Sequence, residues 1–291
     1  MLTAGEQKTL RILLPLWIIL CVLGAIWIAL RAPEAAYAPT DTSVTEEGET
    51  AATSEEETPS YIEKPSFSMF IEITGGCGPG YDAYCTAAYT APHQTASVIT
   101  QLREGVVLQI TDATTTESGV WYKVVFNEWL RYPERVTTEW YVPHSELTRV
   151  FLDEPTHELS DETPKPEHKR IVVDRSDQKL YAYEHDELVM TQTISTGILA
   201  TPTPRGTFTI YKKTPSRYMQ GPIPGISTKY YDLPGVPWNL YFTKEGGVIH
   251  GAYWHNQFGT PWSNGCVNVP RGPSEELYHW ADVGTTVFVR D

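Results

Sequence analysis

"RIVVDRSDQKLYAYEHDELVMTQTISTG", residues 170–197, decides the fold of the C-terminal half of this chain. Ile171 and Val173 fall two residues apart in a β-branched run, and Leu180 and Ala182 repeat the spacing. Alternation with a period of two marks strands that bury one face. The stretch therefore reads as two strands joined by a turn, followed by a third. Further strands are expected in "GTFTIY" (206–211), "WNLYFT" (238–243), "GGVIHG" (246–251) and "TTVFVR" (285–290). Only "SEELYHWA" (274–281) has helical spacing, with Ser274 as its cap and Leu277, Tyr278 and Ala281 on one face. Residues 169–291 are thus expected to form a mainly β domain with one short helix.

Upstream the character changes. The chain has 291 residues and a net charge of −14, which argues against nucleic acid as a partner. Residues 32–67 hold nine of the carboxylates against a single lysine, Lys64, among Thr, Ser, Ala and Pro. Such a segment cannot offset its ordering entropy and reads as a disordered acidic linker. Before it, residues 12–30 ("ILLPLWIILCVLGAIWIAL") carry no charge, and roughly 20 apolar residues suffice to cross a bilayer as a helix. Lys8 and Arg11 favour a cytoplasmic N-terminus. The apolar run is longer than that of a cleaved signal peptide, so residues 1–31 read as a cytoplasmic tail and an N-terminal transmembrane helix. The remainder then lies outside the cytoplasm.

Residues 68–153 hold short aromatic and β-branched runs separated by turns: "SMFIEIT", "VVLQIT", "VWYKVVF" and "TEWYVP". Strands at this spacing suggest a small barrel. The run resembles bacterial SH3-like domains, in which a W-x-x-V strand and a closing W-V-x-x-S-x-L strand recur. That resemblance implies a binding or spacing module for cell-wall material, although Trp121, Tyr122, Trp140 and Tyr141 can equally serve as core. Cys77 and Cys85, in "GGCGPGYDAYC", suit a local disulfide in an oxidising compartment. A polar linker, residues 154–168, leads to the C-terminal domain.

The chemistry concentrates in "HGAYWHNQFGTPWSNGCVNV" (250–269). Cys266 has no second cysteine nearby. A thiol becomes nucleophilic when an imidazole takes its proton, and His250 ends a strand upstream. Gly265 frees the turn before Cys266, so that the amides of Gly265 and Cys266 can meet a developing oxyanion. A zinc site from His250, His255 and Cys266 is the competing reading, but no fourth ligand or activating carboxylate accompanies them.

The arrangement resembles the L,D-transpeptidase catalytic domain, whose signature is His-Gly-x and then Ser-His-Gly-Cys-apolar-Asn or -Arg. His250 and Gly251 match the first part; Ser263, Gly265, Cys266, Val267 and Asn268 match the second. The likeness continues through "STGILATPTPRGTFTIYKK", "DLPGVPWNLYF" and "WADVGTTVFVRD", so it spans residues 169–291 and implies a β-sandwich. It also implies Cys266 as nucleophile, His250 as general base, and the Gly251 carbonyl orienting the imidazole. Ser263, Asn264, Gly265, Asn268, Tyr253 and Trp254 are the candidates for the oxyanion and substrate contacts. The implied donor is a peptidoglycan stem tetrapeptide, the product a 3→3 cross-link, and carbapenems are donor mimics. No metal or cofactor is implied. One position departs from the pattern: Asn264 stands where the family usually has histidine, and asparagine donates hydrogen bonds but does not titrate. A non-catalytic wall-binding role is therefore the alternative. Arg205 is a candidate carboxylate holder, or simply a turn residue. Residues 217–235 read as a turn-rich flap over the cleft.

Overall fold

A computed structural model describes residues 67–153, 157–160, 166 and 168–291. The expected tail, membrane helix and nearly all of the acidic linker fall outside these residues. Among the described residues, no helix is long and apolar enough to cross a membrane.

β1 (Ser68–Ile73), β2 (Thr86–Tyr89), β3 (Val98–Leu102), β4 (Val107–Thr116), β5 (Gly119–Val124), β6 (Trp140–Pro143) and β7 (Thr148–Asp153) make one sheet in the order β3-β2-β6-β5-β4-β1-β7. Every pairing is antiparallel. β1 is paired on both sides, by β4 and by β7, which leaves β7 and β3 as the ends. Among the described residues no strand pair joins those ends, so the expected barrel is not closed by a ladder. Cys77 and Cys85 are joined in a disulfide between β1 and β2.

β8 (His157–Glu158) lies inside the stretch expected to be a linker. After it come β9 (Lys169–Asp174), β10 (Lys179–Glu184), β11 (Glu187–Thr193), β12 (Gly206–Thr209), β13 (Lys212–Ile223), β14 (Ser227–Tyr241), β15 (Val248–Gly251), β16 (Val267–Val269), α1 (Arg271–Trp280) and β17 (Thr286–Arg290). They form two five-stranded sheets, β11-β10-β9-β17-β12 and β16-β15-β14-β13-β8. Ile171, Val173, Leu180, Ala182, Val287 and Val289 of the first sheet share one buried cluster with Trp238, Leu240, Ile249, Val267 and Val269 of the second. The β-sandwich follows from that shared core, since each strand turns every second residue inward. His185 and Asp186, with φ of 49° and 67°, make the tight turn that joins β10 to β11.

The expected flap is not a loop. Residues 217–223 and 227–235 belong to β13 and β14, the longest strands among the described residues, which pair as a hairpin turning at Gly225. Pro222, Pro224 and Pro234 made the stretch look broken, because proline removes a ladder donor. Pro222 and Pro234 fall at the two register shifts of the ladder, Gly221/Ile223 and Arg217/Met219, and Pro224 lies in the turn. This hairpin also carries Tyr218 and Val236 into the buried cluster of the N-terminal sheet, beside Ile71, Leu108 and Val142. Gly235 permits the approach: its φ is +64°, and a Cβ there would stand 2.4 Å from the Val107 carbonyl oxygen.

α1 begins at Arg271, after Pro270, three residues before the expected cap. Ser274 instead donates its hydroxyl to the Arg271 carbonyl (2.6 Å) and packs against Gly251. At the other end, Lys213 reaches from β13 to the last turn. Its ammonium, on a side chain 8% exposed, donates to the Tyr278 (2.7 Å) and Ala281 (2.5 Å) carbonyls. A cation at a helix C-terminus satisfies orphan carbonyls and complements the dipole. Lys213→Met is expected to cost about 2–4 kcal/mol in urea unfolding, since two buried acceptors lose a charged donor. A loss below about 0.5 kcal/mol would show the contacts to be idle.

Candidate active site

β15 and β16 run parallel, with Ile249 opposite Val267, His250 opposite Asn268 and Gly251 opposite Val269. Paired residues point to the same face of a sheet, so His250 and Asn268 project together. Cys266 precedes Asn268 by two residues and joins that face. His250, Cys266 and Asn268 all line one cavity of about 420 Å³, together with Ser263, Asn264 and Trp254. The β13–β14 hairpin walls the cavity with Arg217, Met219 and Tyr231.

The histidine is nearly sealed, at 1% exposure. Its Nδ1 lies 2.9 Å from the Gly251 carbonyl oxygen. A carbonyl accepts only, so the ring proton sits on Nδ1 and Nε2 is left as a base. Nε2 is buried and has no hydrogen-bond partner. Burial pushes the His250 pKa down to about 4, against the pull of the Gly251 carbonyl, and Arg217 lowers it further. The ring tilts against Trp254, with centroids 5.6 Å apart.

Cys266 is the one free cysteine among the described residues and is 9% exposed. Its thiol donates to the Gly246 carbonyl at 3.6 Å, not to His250. Burial raises its pKa above the ordinary value of 9, while Arg217 and the Val248 backbone oppose that rise. The resting pair is therefore a neutral thiol and a neutral imidazole. Apo catalytic pairs are often loosely aligned until substrate arrives.

The turn before the cysteine is built by Ser263. Its hydroxyl donates to the Cys266 carbonyl (2.5 Å) and accepts the Gly265 N–H (3.1 Å). Gly265 has a φ of +113°, which a residue with a Cβ rarely adopts. Since the Gly265 N–H is engaged, it is not an oxyanion donor in this geometry. The N–H groups of Asn264 and Cys266 have no acceptor among the described residues and remain available.

Other expected contacts divide. Trp254 and Asn264 line the cavity, whereas Tyr253 does not. Tyr253 is 3% exposed, belongs to the core of the N-terminal sheet and donates its hydroxyl to the Pro234 carbonyl. Its large apolar ring is satisfied by packing, and substrate contact is withdrawn for it. His255 stands behind the cavity. Its Nδ1 accepts the Gln257 N–H (3.1 Å), so Nε2 carries the proton. Nε2 lies 2.8 Å from the Asn268 side-chain amide, and the amide oxygen is the group able to receive that proton. His250, His255 and Cys266 do not gather as a metal-binding group; among the described residues only His168, Glu184 and His185 bring three ligand atoms within 4.8 Å of one another. Arg205 pairs with Asp291 away from the cavity. Sequence reading put the stretch beginning at Arg217 over the cleft without singling out that residue, and missed Gly246 and Trp262. No spacing marks them, because the hairpin and loops bring them in from separate elements.

Comparison with known proteins agrees with this domain. Residues 168–289 match the family described as YkuD, the L,D-transpeptidase catalytic domain. The curated Bacillus licheniformis protein YkuD is 30% identical over 123 residues, which cover 41% of this chain. The chain spans 64% of that relative's length. Among solved structures, the catalytic domain of Enterococcus faecium L,D-transpeptidase acylated by ertapenem is 27% identical, with 43% of this chain and 98% of that domain covered and a TM-score of 0.38. An L,D-transpeptidase from Mycobacterium smegmatis is 21% identical, covering 59% of this chain and 90% of its own, with a TM-score of 0.41.

Proposed function

We propose that the chain is a cysteine L,D-transpeptidase acting on peptidoglycan stem peptides outside the cytoplasm. One observation carries the reading: a buried imidazole nitrogen with no partner and a free thiol share one face and one cavity in a domain matching this family. The Cys266 thiol swings from Gly246 toward His250 and attacks the carbonyl between the diamino acid at position three and D-Ala at position four. Nε2 takes the thiol proton as the C–S bond forms. The Cys266 N–H, with Asn264 beside it, faces the oxyanion. His250 then gives its proton to the departing D-Ala amine as the C–N bond breaks, leaving a thioester. An amine from a second stem, deprotonated by His250, displaces the sulfur and completes a 3→3 cross-link. In this reading, residues 12–30 anchor the chain in the membrane, residues 32–67 space it from the bilayer, and an SH3-like module over residues 68–153 contacts the wall.

A second reading, a wall-binding protein without turnover, is favoured by the thiol's orientation toward Gly246 and by Asn264 at the usual histidine position. Intact-protein mass spectrometry with ertapenem separates the two. The enzyme is expected to gain one covalent adduct that Cys266→Ala abolishes. A folded wild-type protein without adduct selects the binder.

A further inference from the structure

The cavity around Cys266 has a charge opposite to that of the chain. Arg131, Arg217 and Lys229 line it, against the single carboxylate of Glu245. None of the three cations forms an ion pair with a carboxylate among the described residues. Two of them have ordinary reasons to be there. Lys229 is exposed, and Arg131 stacks on the exposed Trp129 ring, 5.2 Å from its centroid.

Arg217 is different. It lies on β13 in the inner wall, over the Tyr241 ring at 5.4 Å, and near enough to Cys266 for its charge to act on the thiol. The one carboxyl that acts on it, Glu128, is engaged by the backbone and accepts the Tyr218 N–H at 2.6 Å. Arg217 also borders a second cavity of about 430 Å³. A guanidinium is always charged, and a withdrawn one without a carboxylate is costly unless a ligand supplies the anion. Its planar fork matches a carboxylate with two parallel hydrogen bonds.

We propose that Arg217 is the carboxylate anchor of this site, gripping a free carboxylate of the acyl donor next to the scissile carbonyl. The proposal rests on the transpeptidase reading for its ligand. A stem tetrapeptide offers two such groups: the C-terminal carboxylate of the leaving D-amino acid and the side-chain carboxylate of the diamino acid. Either places the anion a few bonds from the attacked carbon, as the position of Arg217 beside Cys266 requires.

Calorimetric binding to the Cys266→Ala protein tests this without turnover. Three tetrapeptides serve as probes: the free acid, the C-terminal amide, and one amidated on the diamino acid side chain. The free acid is expected to bind about 10- to 100-fold more tightly than one of the amides, and that amide names the carboxylate gripped. Arg217→Gln in the same background erases the difference, and Arg217→Lys restores part of it. A merely structural arginine would weaken all three probes alike. Equal binding of acid and amides, an unchanged preference in Arg217→Gln, or no binding of any probe overturns the anchor. Thioester formation by the wild-type protein is scored separately. Arg217-dependent binding without a thioester would sink the transpeptidase and leave the anchor standing.

Discussion

Alkylation of Cys266 by iodoacetamide is expected to be slow at pH 7 and to rise about tenfold with each pH unit through pH 9. The reasoning starts from burial. The thiol holds its proton more tightly than an exposed cysteine, and the His250 imidazole binds one only near pH 4. Both shifts disfavour the charged forms, so the thiolate–imidazolium pair is a minor species at rest. Only the bulk thiolate fraction then reacts, and it grows with hydroxide. A preformed ion pair behaves otherwise, with a flat alkylation rate from about pH 5 to 8. The two outcomes differ about 100-fold at pH 7 relative to pH 9, and a flat profile would sink the neutral-pair description. Acylation by a true donor should not follow the same curve. If the proton moves to Nε2 as the sulfur attacks, acylation needs neutral His250, which persists down to about pH 5. A steep alkylation profile beside a nearly level acylation profile is thus the signature of proton transfer concerted with attack.

That His250 and Cys266 belong to one cavity was legible because its logic is local. A strand ending in His-Gly and a Ser-x-Gly-Cys turn feeding another strand were readable; that the two strands pair in parallel, His250 opposite Asn268, was not. Strand positions such as Ile171, Leu180 and Val287 were legible from alternation alone. The misreadings share a cause. Proline at 222, 224 and 234 signalled a loop, yet bulges and the packing of Tyr218 and Val236 stabilise a hairpin. Ser274 looked like a cap because serine so often is one, but Pro270 sets the helix start and Gly251 leaves room for the hydroxyl. Trp238 adopts a φ of +60° deep in the core, which no sequence pattern announces. Arg217 is the sharpest case. An arginine among tyrosines and prolines says nothing by itself; what distinguishes it is the carboxylate it lacks, and that emerges only when the surrounding elements are assembled.

Unfolding free energy should climb between pH 4.5 and 6.5, and removing one carboxylate should make the climb steeper. His250 and His255 are both buried, and burial holds each near a pKa of about 4, below the ordinary 6.5. In that window the unfolded chain binds protons at these sites that the folded chain refuses. Stability is therefore present above pH 6.5 and lost as pH falls toward 4. Each histidine contributes about 1.4 kcal/mol per pH unit in the window, and about 3 kcal/mol in full for His250. Glu128 works in the opposite sense. Burial lifts its pKa from 4.5 to about 7, so the folded state holds a proton that the unfolded state releases. Its contribution is present below pH 4.5 and lost as pH rises through 7. Glu128→Gln keeps an acceptor for the Tyr218 N–H and removes the titration. The urea-unfolding slope of that variant should exceed the wild-type slope by about 1.4 kcal/mol per pH unit between pH 4.5 and 6.5, whatever the other carboxylates add. His250→Gln should shift the slope by a similar amount in the other direction. Parallel curves for wild type and Glu128→Gln would mean that the Glu128 carboxyl titrates as it does in water, and that the contact with Tyr218 leaves it open to solvent.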